Sequence, residues 1–164
     1  MESAYAMPGL ENMRLCMAED LEQIREVMVE SGVFSEFEVL NLMDMIGEYV
    51  GDVSGDLMTY CYVIEGHVGG FISFGTGLGV GTYEVYWICV SPKHSGNGIG
   101  TALVRFAEEY IRGRRGRAIF IETSSSRGYE GARRLYEKMG YDLAARVEDY
   151  YNEGDHKLVY LKKL

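Results

Sequence analysis

The residues best placed to do chemistry form a glycine-rich segment between a predicted strand and a predicted helix. The segment consists of Ser95, Gly96, Asn97, Gly98, Ile99, Gly100 and Thr101. Its three glycines stand at alternate positions, where the absence of Cβ lets the backbone take unusual dihedral angles and approach an anion closely. The helix that follows has unpaired N–H groups at its N-terminus. This arrangement predicts an anion site, most simply for a pyrophosphate.

Three kinds of phosphate-binding site use glycine loops, and the sequence separates them only in part. A P-loop ends in Gly-Lys-Ser or Gly-Lys-Thr, whereas Gly100 is followed directly by Thr101 with no lysine. A dinucleotide-binding loop is a closer alternative, because Glu122 follows the next predicted strand, near where a ribose partner would stand. Against it, the spacing is G-x-G-x-G, and residues 92–95 separate the glycines from the strand. The third possibility is the pyrophosphate of coenzyme A.

The elements that must position this loop follow from the hydrophobic periodicity and its glycine breaks. Strands are predicted over residues 13–17, 58–64, 68–74, 82–90, 117–123, 141–150 and 158–161, and helices over residues 19–31, 35–50, 99–113 and 129–139. Capping-box patterns, Asp20 with Gln23 and Ser35 with Glu38, predict the start of the first two helices. The order β-α-α-β-β-β-α-β-α-β-β predicts an α/β (α+β) fold, a mixed, mostly antiparallel sheet with helices on both faces.

Length and composition are those of an ordinary globular protein. The chain has 164 residues, of which 47% are apolar and 25% charged, so we expect one domain over residues 1–164. Residues 1–10 lack the pattern of a leader peptide, and no apolar run is long enough to span a bilayer. We therefore expect a cytoplasmic protein with no membrane partner. The three cysteines, Cys16, Cys61 and Cys89, match no disulfide framework or metal motif and predict buried free thiols and no metal site.

The charged residues are unevenly distributed along the chain. The net charge is −9, and the segment between Arg25 and Lys93 holds ten acidic residues but no Lys or Arg. From Lys93 to Lys138 the balance reverses. This polarity predicts an anionic cofactor bound beside a cationic substrate. We expect no nucleic acid partner, because the overall acidity repels phosphate and the basic residues are not interleaved with stacking aromatic side chains.

Two segments resemble motifs of the GNAT superfamily of acetyl-CoA-dependent N-acetyltransferases. Residues 90–103, VSPKHSGNGIGTAL, look like motif A, whose core is Arg/Gln-x-x-Gly-x-Gly/Ala. Residues 132–141, ARRLYEKMGY, look like motif B, which usually ends in Tyr-Glu-Lys-x-Gly-Phe. Both stand in the family's order with one strand between them, and the predicted elements match that fold over nearly the whole chain. The resemblance implies a GNAT-like fold and acyltransferase activity.

The resemblance also implies acetyl-CoA as a co-substrate and assigns residues to bind it. In this fold the end of the strand at residues 82–90 splays from its neighbour, so that the backbone of residues such as Ile88 and Val90 is available to the pantetheine arm. Cys89, between them, is assigned to the same cofactor-binding set. Residues 95–101 would hold the pyrophosphate.

Two positions depart from the family pattern. Ser95 stands where the family favours Arg or Gln, and Tyr129 where many members have Asn. Compensating positive charge is expected from nearby basic side chains, namely Lys93, His94, Arg133 and Arg134.

The implied reaction is direct attack of a deprotonated amine on acetyl-CoA, with two proton transfers. Tyr136, the tyrosine of motif B, is expected to be the general acid for the departing thiolate, although its position on the apolar stripe of its helix also suits a core residue. Relatives place a carboxylate base on one of two central strands, which makes Glu84 and Glu122 the candidates, with Glu84 favoured. A backbone N–H at the strand end would stabilise the oxyanion.

The acceptor site is expected from the first two helices and the last hairpin. A cationic primary amine would be recognised by acidic residues of the second helix, which are Glu36, Glu38, Asp44 and Glu48. Residues 149–155, DYYNEGD, are similar to a hairpin of ribosomal-protein alanine acetyltransferases, which implies a protein N-terminal α-amine as one acceptor, beside a small-molecule amine. The alternatives are a non-catalytic acyl-CoA-binding sensor or interaction module and, less favoured, a dinucleotide-binding domain. A homodimer is a weaker expectation from the superfamily.

Overall fold

The computed structural model describes residues 9–164 and contains the predicted sequence of helices and strands. The strands are β1 (Met13–Leu15), β2 (Met58–Ile64), β3 (His67–Thr76), β4 (Thr82–Val90), β5 (Ala118–Ser124), β6 (Asp142–Asn152) and β7 (Asp155–Lys163). The helices are α1 (Leu21–Ser31), α2 (Glu36–Glu48), α3 (Ile99–Gly113) and α4 (Glu130–Lys138). The order of these elements along the chain is the predicted one.

All seven strands form a single sheet in the order β1-β2-β3-β4-β5-β7-β6. Every contact between neighbouring strands is antiparallel except that between β4 and β5, which is parallel. A parallel contact needs a crossover connection, which α3 supplies here. The sheet is therefore mixed and mostly antiparallel, as predicted.

Helices cover both faces of the sheet, and each face has its own apolar core. Ile72 of β3 is fully buried on the face that carries Leu103 of α3. Its neighbour Phe71 is fully buried on the opposite face, with Ile24 of α1 and Leu42 of α2. Adjacent strand residues point to opposite faces, so a run of apolar residues in a central strand supplies both cores.

The start of α2 is the capping box that the sequence predicts. The backbone N–H of Glu38 donates to Oγ of Ser35 at 3.2 Å, and the backbone N–H of Ser35 donates to Oε2 of Glu38 at 2.7 Å. Both partners lie within four consecutive residues, which explains why the local sequence was sufficient to predict this cap.

The start of α1 differs from its predicted capping box. Asp20 is buried, and its two carboxylate oxygens accept from the guanidinium of Arg14 at 2.6 and 2.7 Å and from the backbone N–H of Met17 at 2.9 Å. The hydrogen bond from Arg14 holds the pKa of Asp20 below its usual value. Gln23 instead accepts the backbone N–H of Val68 at 2.9 Å. A buried carboxylate is stabilised more by a cation than by a helix terminus, so the contact with β1 replaces the cap.

The three cysteines are free and buried, as predicted. Cys16, Asp20 and Cys61 bring potential metal-ligand atoms within 4.8 Å of one another. However, the Asp20 carboxylate already accepts two hydrogen bonds from Arg14, so the positive charge next to this carboxylate is the guanidinium.

No helix within residues 9–164 is both long enough and apolar enough to cross a bilayer. Most of the N-terminal segment that lacks a leader pattern, residues 1–8, lies outside the described residues.

Candidate active site

The glycine-rich segment forms the turn into α3, and two different structural requirements favour glycine at its positions. Gly96 and Gly98 both have φ of 79°, in the left-handed region, and a Cβ atom at either position would meet nothing within 4 Å. The dihedral angle itself therefore favours glycine at these positions. At Gly100 a Cβ would lie 3.0 Å from Cδ2 of Leu135, so this glycine permits close packing of α3 against α4. Gly98 immediately precedes α3, whose first N–H groups have no partner within the helix.

A cavity of about 570 Å³ is lined by this turn and by the C-terminal half of β4; we call it the cofactor cavity. All of the predicted cofactor-binding residues line it except Asn97. The opposite wall comes from α4 and the turn before it, including Gly128, Ala132, Leu135 and Lys138, which the sequence analysis did not assign to the site.

Three of the four basic side chains expected to compensate for Ser95 have partners elsewhere. Arg134 donates to Oε1 of Glu130 within α4 at 2.5 Å. Lys93 donates to Glu30 at 2.8 Å. Arg133 donates to the backbone carbonyls of Ser124 and Ser126 at 2.7 and 2.8 Å, and so joins α4 to the end of β5. The basic side chains that line the cofactor cavity are those of His94 and Lys138.

The strands β4 and β5 separate beside this cavity. They pair from Thr82 with Ala118 to Val85 with Ile121, and no further. Since β4 continues to Val90 and β5 to Ser124, a gap opens between the C-terminal halves of the two strands.

The backbone of β4 turns toward this gap at alternate residues. The N–H of Ser91, the residue directly after β4, donates to the carbonyl of Gly69 in β3 at 2.9 Å. Alternate residues of an antiparallel strand direct their N–H and C=O groups to opposite sides. Ile88 and Val90 therefore direct theirs away from β3 and into the gap, which agrees with the sequence-based expectation for this strand end.

A second cavity, of about 490 Å³, lies beside the cofactor cavity; we call it the acceptor cavity. The two share the lining residues Val33, Phe34, Ile88, Tyr129 and Ala132. The two cavities thus adjoin at Ile88, which lies where β4 separates from β5.

Tyr136 lies on α4 and lines the acceptor cavity. It is 3% exposed, and its ring centroid lies 6.2 Å from that of Tyr141 and 5.7 Å from that of Tyr160. Burial raises the pKa of Tyr136 well above its usual value. The phenol is therefore protonated near neutral pH and available as a proton donor, while its ring still contributes to the core.

The two candidate bases occupy different places. Glu122, near the end of β5, lines the acceptor cavity, and its Oε2 forms an ion pair with Nζ of Lys157 at 2.9 Å. Glu84 pairs with Phe120 in the closed part of the β4–β5 contact and lines neither cavity. A Cβ on Gly77 would lie 3.3 Å from Oε1 of Glu84, so this carboxylate points toward the β3–β4 loop. The placement favours Glu122, contrary to the preference for Glu84 from the sequence.

The acceptor cavity is acidic. Glu38, Glu122 and Asp155 line it, and no Lys or Arg among residues 9–164 does. Of the acidic residues on α2 that the sequence offered for acceptor recognition, three do not line this cavity, namely Glu36, Asp44 and Glu48. Asp155, which accepts a hydrogen bond from the hydroxyl of Ser124, was not singled out. Its signal was its place in the acidic turn between the last two strands.

Tyr129 lies at the junction of the two cavities and lines both. Burial raises its pKa to about 12, with a further contribution from Glu38. The sequence marked this position only as a departure from the usual Asn, which pointed to the right place without predicting a role.

Comparisons with known proteins agree with this geometry. The chain matches the model of the acetyltransferase (GNAT) family over residues 22–141. No curated protein sequence gives a significant match.

Solved structures share the fold. A protein from Desulfovibrio desulfuricans, assigned to the GNAT family as an acetyltransferase, has a TM-score of 0.85 and 28% identity, over 92% of this chain and 97% of that chain. The ribosomal-protein-S18-alanine N-acetyltransferase of Escherichia coli has a TM-score of 0.75 and 17% identity, over 92% of each chain. An aminoglycoside 6'-N-acetyltransferase complexed with coenzyme A has a TM-score of 0.72 and 16% identity, over 92% of this chain and 96% of that chain.

The last two identities are low enough that these likenesses speak only for the fold. The family match is different, because it covers most of the chain, including both the glycine-rich turn and α4. On that match, this chain belongs to the GNAT family of acetyltransferases.

Proposed function

We propose that this chain transfers an acetyl group from acetyl-CoA to a cationic primary amine. The observation that carries the proposal is the meeting of the two cavities at Ile88, with Tyr136 in the wall of one and the glycine-rich turn in the wall of the other. A reaction between two bound molecules needs such a junction, where a thioester from one side reaches an amine from the other.

The cofactor cavity suits an acyl-CoA by its chemistry. The N–H groups at the start of α3 have no partner within the helix and provide donors for a pyrophosphate. The positive φ of Gly96 and Gly98 shapes the turn that leads to them. The backbone groups of Ile88 and Val90 provide a strand edge for the pantetheine amides. The coenzyme A complex of the structurally similar aminoglycoside acetyltransferase supports this choice over a dinucleotide.

In the proposed reaction the amine nitrogen attacks the thioester carbonyl carbon, and the carbon–sulfur bond then breaks. A backbone N–H in the gap beside Ile88 donates to the developing oxyanion, an effect commonly of about 3 kcal/mol. The departing thiolate takes a proton from the phenol of Tyr136. The nitrogen, which still carries one excess proton after attack, releases it to solvent as the amide forms, and solvent reprotonates the Tyr136 phenolate.

The amine reaches the site mostly as an ammonium ion and must lose a proton before attack. We assign this proton to Glu122, directly or through a water molecule, because it is the candidate base that lines the acceptor cavity. Glu84 remains the alternative from the sequence, at a position closed off from both cavities.

The charge of the acceptor cavity supports a cationic acceptor. Lys157 offsets only one of the three carboxylates that line it, Glu122, and leaves Glu38 and Asp155 to face a cation. Tyr86 and Trp87 add aromatic walls, which attract cations through their π-faces. Both a small polyamine and a protein N-terminal α-amine meet these requirements.

The first experiment is calorimetric titration with acetyl-CoA, coenzyme A and NAD, followed by thiol-release assays. We expect binding of both coenzyme A species without NAD. We then expect thiol release with spermidine or an alanyl tripeptide amide, and none with the acidic amine glutamate. Preferential NAD binding would contradict the proposed co-substrate. Acetyl-CoA binding with no turnover of any amine would favour a non-catalytic sensor.

A further inference from the structure

The hairpin of β6 and β7 contains a large bulge next to the acceptor cavity. Val147 pairs with Lys157, and the next pair along the hairpin is Asn152 with Asp155. Residues 148–151 of β6 therefore face a single residue of β7, His156. Bulges bend a strand and redirect its side chains, and they are frequent beside active sites.

His156 makes the hydrogen bond that fixes the middle of this bulge. Asp149 has φ of 52°, a left-handed conformation that is uncommon for a residue other than glycine. Its backbone N–H donates to Nδ1 of His156 at 3.0 Å, and its Oδ1 accepts the backbone N–H of Gly154 at 2.9 Å. The left-handed turn thus has a partner for the Asp149 amide and another for its carboxylate.

The backbone of His156 is itself fixed to the end of the central sheet. Its N–H donates to Oγ of Ser125 at 2.8 Å, and its carbonyl accepts the N–H of Ser125 at 2.9 Å. The imidazole is 18% exposed. Because Ser125 directly follows β5, these backbone hydrogen bonds connect His156, whose imidazole holds the bulge, to the strand that carries Glu122.

The bulge places two tyrosines against the proposed site. Nζ of Lys157 lies 4.1 Å from the ring centroid of Tyr150, and the same Nζ pairs with Glu122 at 2.9 Å. The ring of Tyr151 packs edge-on against that of Tyr150, with centroids 4.9 Å apart, and lines the acceptor cavity. The position of Tyr151, which belongs to the bulge, therefore depends on the conformation of residues 148–151.

We infer that His156 is a positioning residue for the amine acceptor. By accepting the N–H of Asp149 it holds the bulge that places Tyr151 in the wall of the acceptor cavity. His156 lines neither cavity, so it acts through Tyr151 and not on the acceptor itself. The inference rests on the proposed function, because it assigns the acceptor to the cavity that Tyr151 lines. Acetyl-CoA binds in the other cavity and is independent of this contact.

Two substitutions separate the hydrogen bond from the bulk of the side chain. His156→Leu removes the acceptor atom at similar size, whereas His156→Asn retains an oxygen acceptor near the place of Nδ1. With spermidine, we expect His156→Leu to raise KM by about fivefold to tenfold, the effect of one lost hydrogen bond. We expect its kcat to stay within about twofold and its acetyl-CoA Kd to be unchanged. His156→Asn should have a KM close to that of the wild type.

Crystal structures of the wild type and both variants decide the positioning without any need for turnover. Tyr151 displaced from the cavity in His156→Leu, but retained in His156→Asn, supports the inference. Tyr151 in place in His156→Leu, or equal loss in both variants, overturns it. If wild-type protein binds acetyl-CoA but does not acetylate spermidine, the choice of acceptor fails, and the crystal structures still test the role of His156.

Discussion

Replacing Gly98 by alanine tests the claim that the backbone conformation of the glycine-rich turn is what the site requires. Gly98 has φ of 79°, and an added Cβ would meet nothing within 4 Å, so the substitution introduces no clash. The left-handed conformation costs a residue with a Cβ about 1–2 kcal/mol. The smaller entropy of alanine in the unfolded chain offsets about 0.4–1 kcal/mol of this. The expected net loss is about 1 kcal/mol.

This loss can be detected in two ways, and urea unfolding with calorimetric titration measures both. If the turn keeps its conformation, the free energy of unfolding falls by about 1 kcal/mol. If the turn moves to relieve the strain, the N–H donors are displaced and the Kd for acetyl-CoA rises by about fivefold, the equivalent of the same free energy.

Gly113 provides the matched control. It is the last residue of α3, its φ is not positive, and a Cβ there also meets nothing within 4 Å. Gly113→Ala should leave acetyl-CoA binding unchanged and stabilise the fold by up to about 1 kcal/mol, because alanine favours the helix. A Gly98→Ala variant with wild-type stability and wild-type acetyl-CoA affinity would refute the reasoning.

Three further predictions concern the buried ion pair and the acceptor cavity. Arg14→Met leaves the buried Asp20 carboxylate without its cation and should lower the free energy of unfolding, measured with urea, by about 3 kcal/mol. Because the folded-state pKa of Asp20 is lowered, its stabilising contribution is present above its unfolded-state pKa and is lost as pH falls through the folded value. Urea unfolding between about pH 5 and pH 2 should therefore show a steeper loss in wild type than in Asp20→Asn, and parallel curves would contradict this. Glu38→Gln should raise the KM for spermidine about fivefold, whereas Glu36→Gln, outside the cavity, should not; equal effects would refute a specific role for Glu38.

The features that the sequence predicted are those specified by short segments. The capping box of Ser35 and Glu38 lies within four residues, and the alternation of Gly96, Gly98 and Gly100 marks the turn into α3 directly. The element order also follows from local periodicity. The separation of β4 from β5 was an expectation from the family resemblance, and the strand pairing bears it out.

The features that the sequence did not predict depend on contacts between different elements of the fold. In the sequence, Asp20 matches the pattern of a helix cap. In the structure, its carboxylate binds the guanidinium of Arg14 on β1 instead. Glu84 and Glu122 both read as strand carboxylates, and only the extent of the β4–β5 pairing separates their positions.

The last hairpin shows the same limit. The predicted strands 141–150 and 158–161 are shorter than the observed β6 and β7. The additional residues are largely polar, and their strand conformation depends on pairing with each other and with β5. The bulge at residues 148–151 has no local signal, because it depends on the side chain of His156 across the hairpin.

The central claim is that acetyl transfer occurs at the junction of the two cavities with Tyr136 as proton donor. Its most direct test is the rate of thiol release from acetyl-CoA with spermidine as acceptor, for wild type, Tyr136→Phe and the matched control Tyr129→Phe. We predict a fall in kcat of about 100-fold for Tyr136→Phe, with unchanged acetyl-CoA Kd, and a much smaller effect for Tyr129→Phe. Wild-type turnover by Tyr136→Phe, or a larger loss in Tyr129→Phe, would contradict the account.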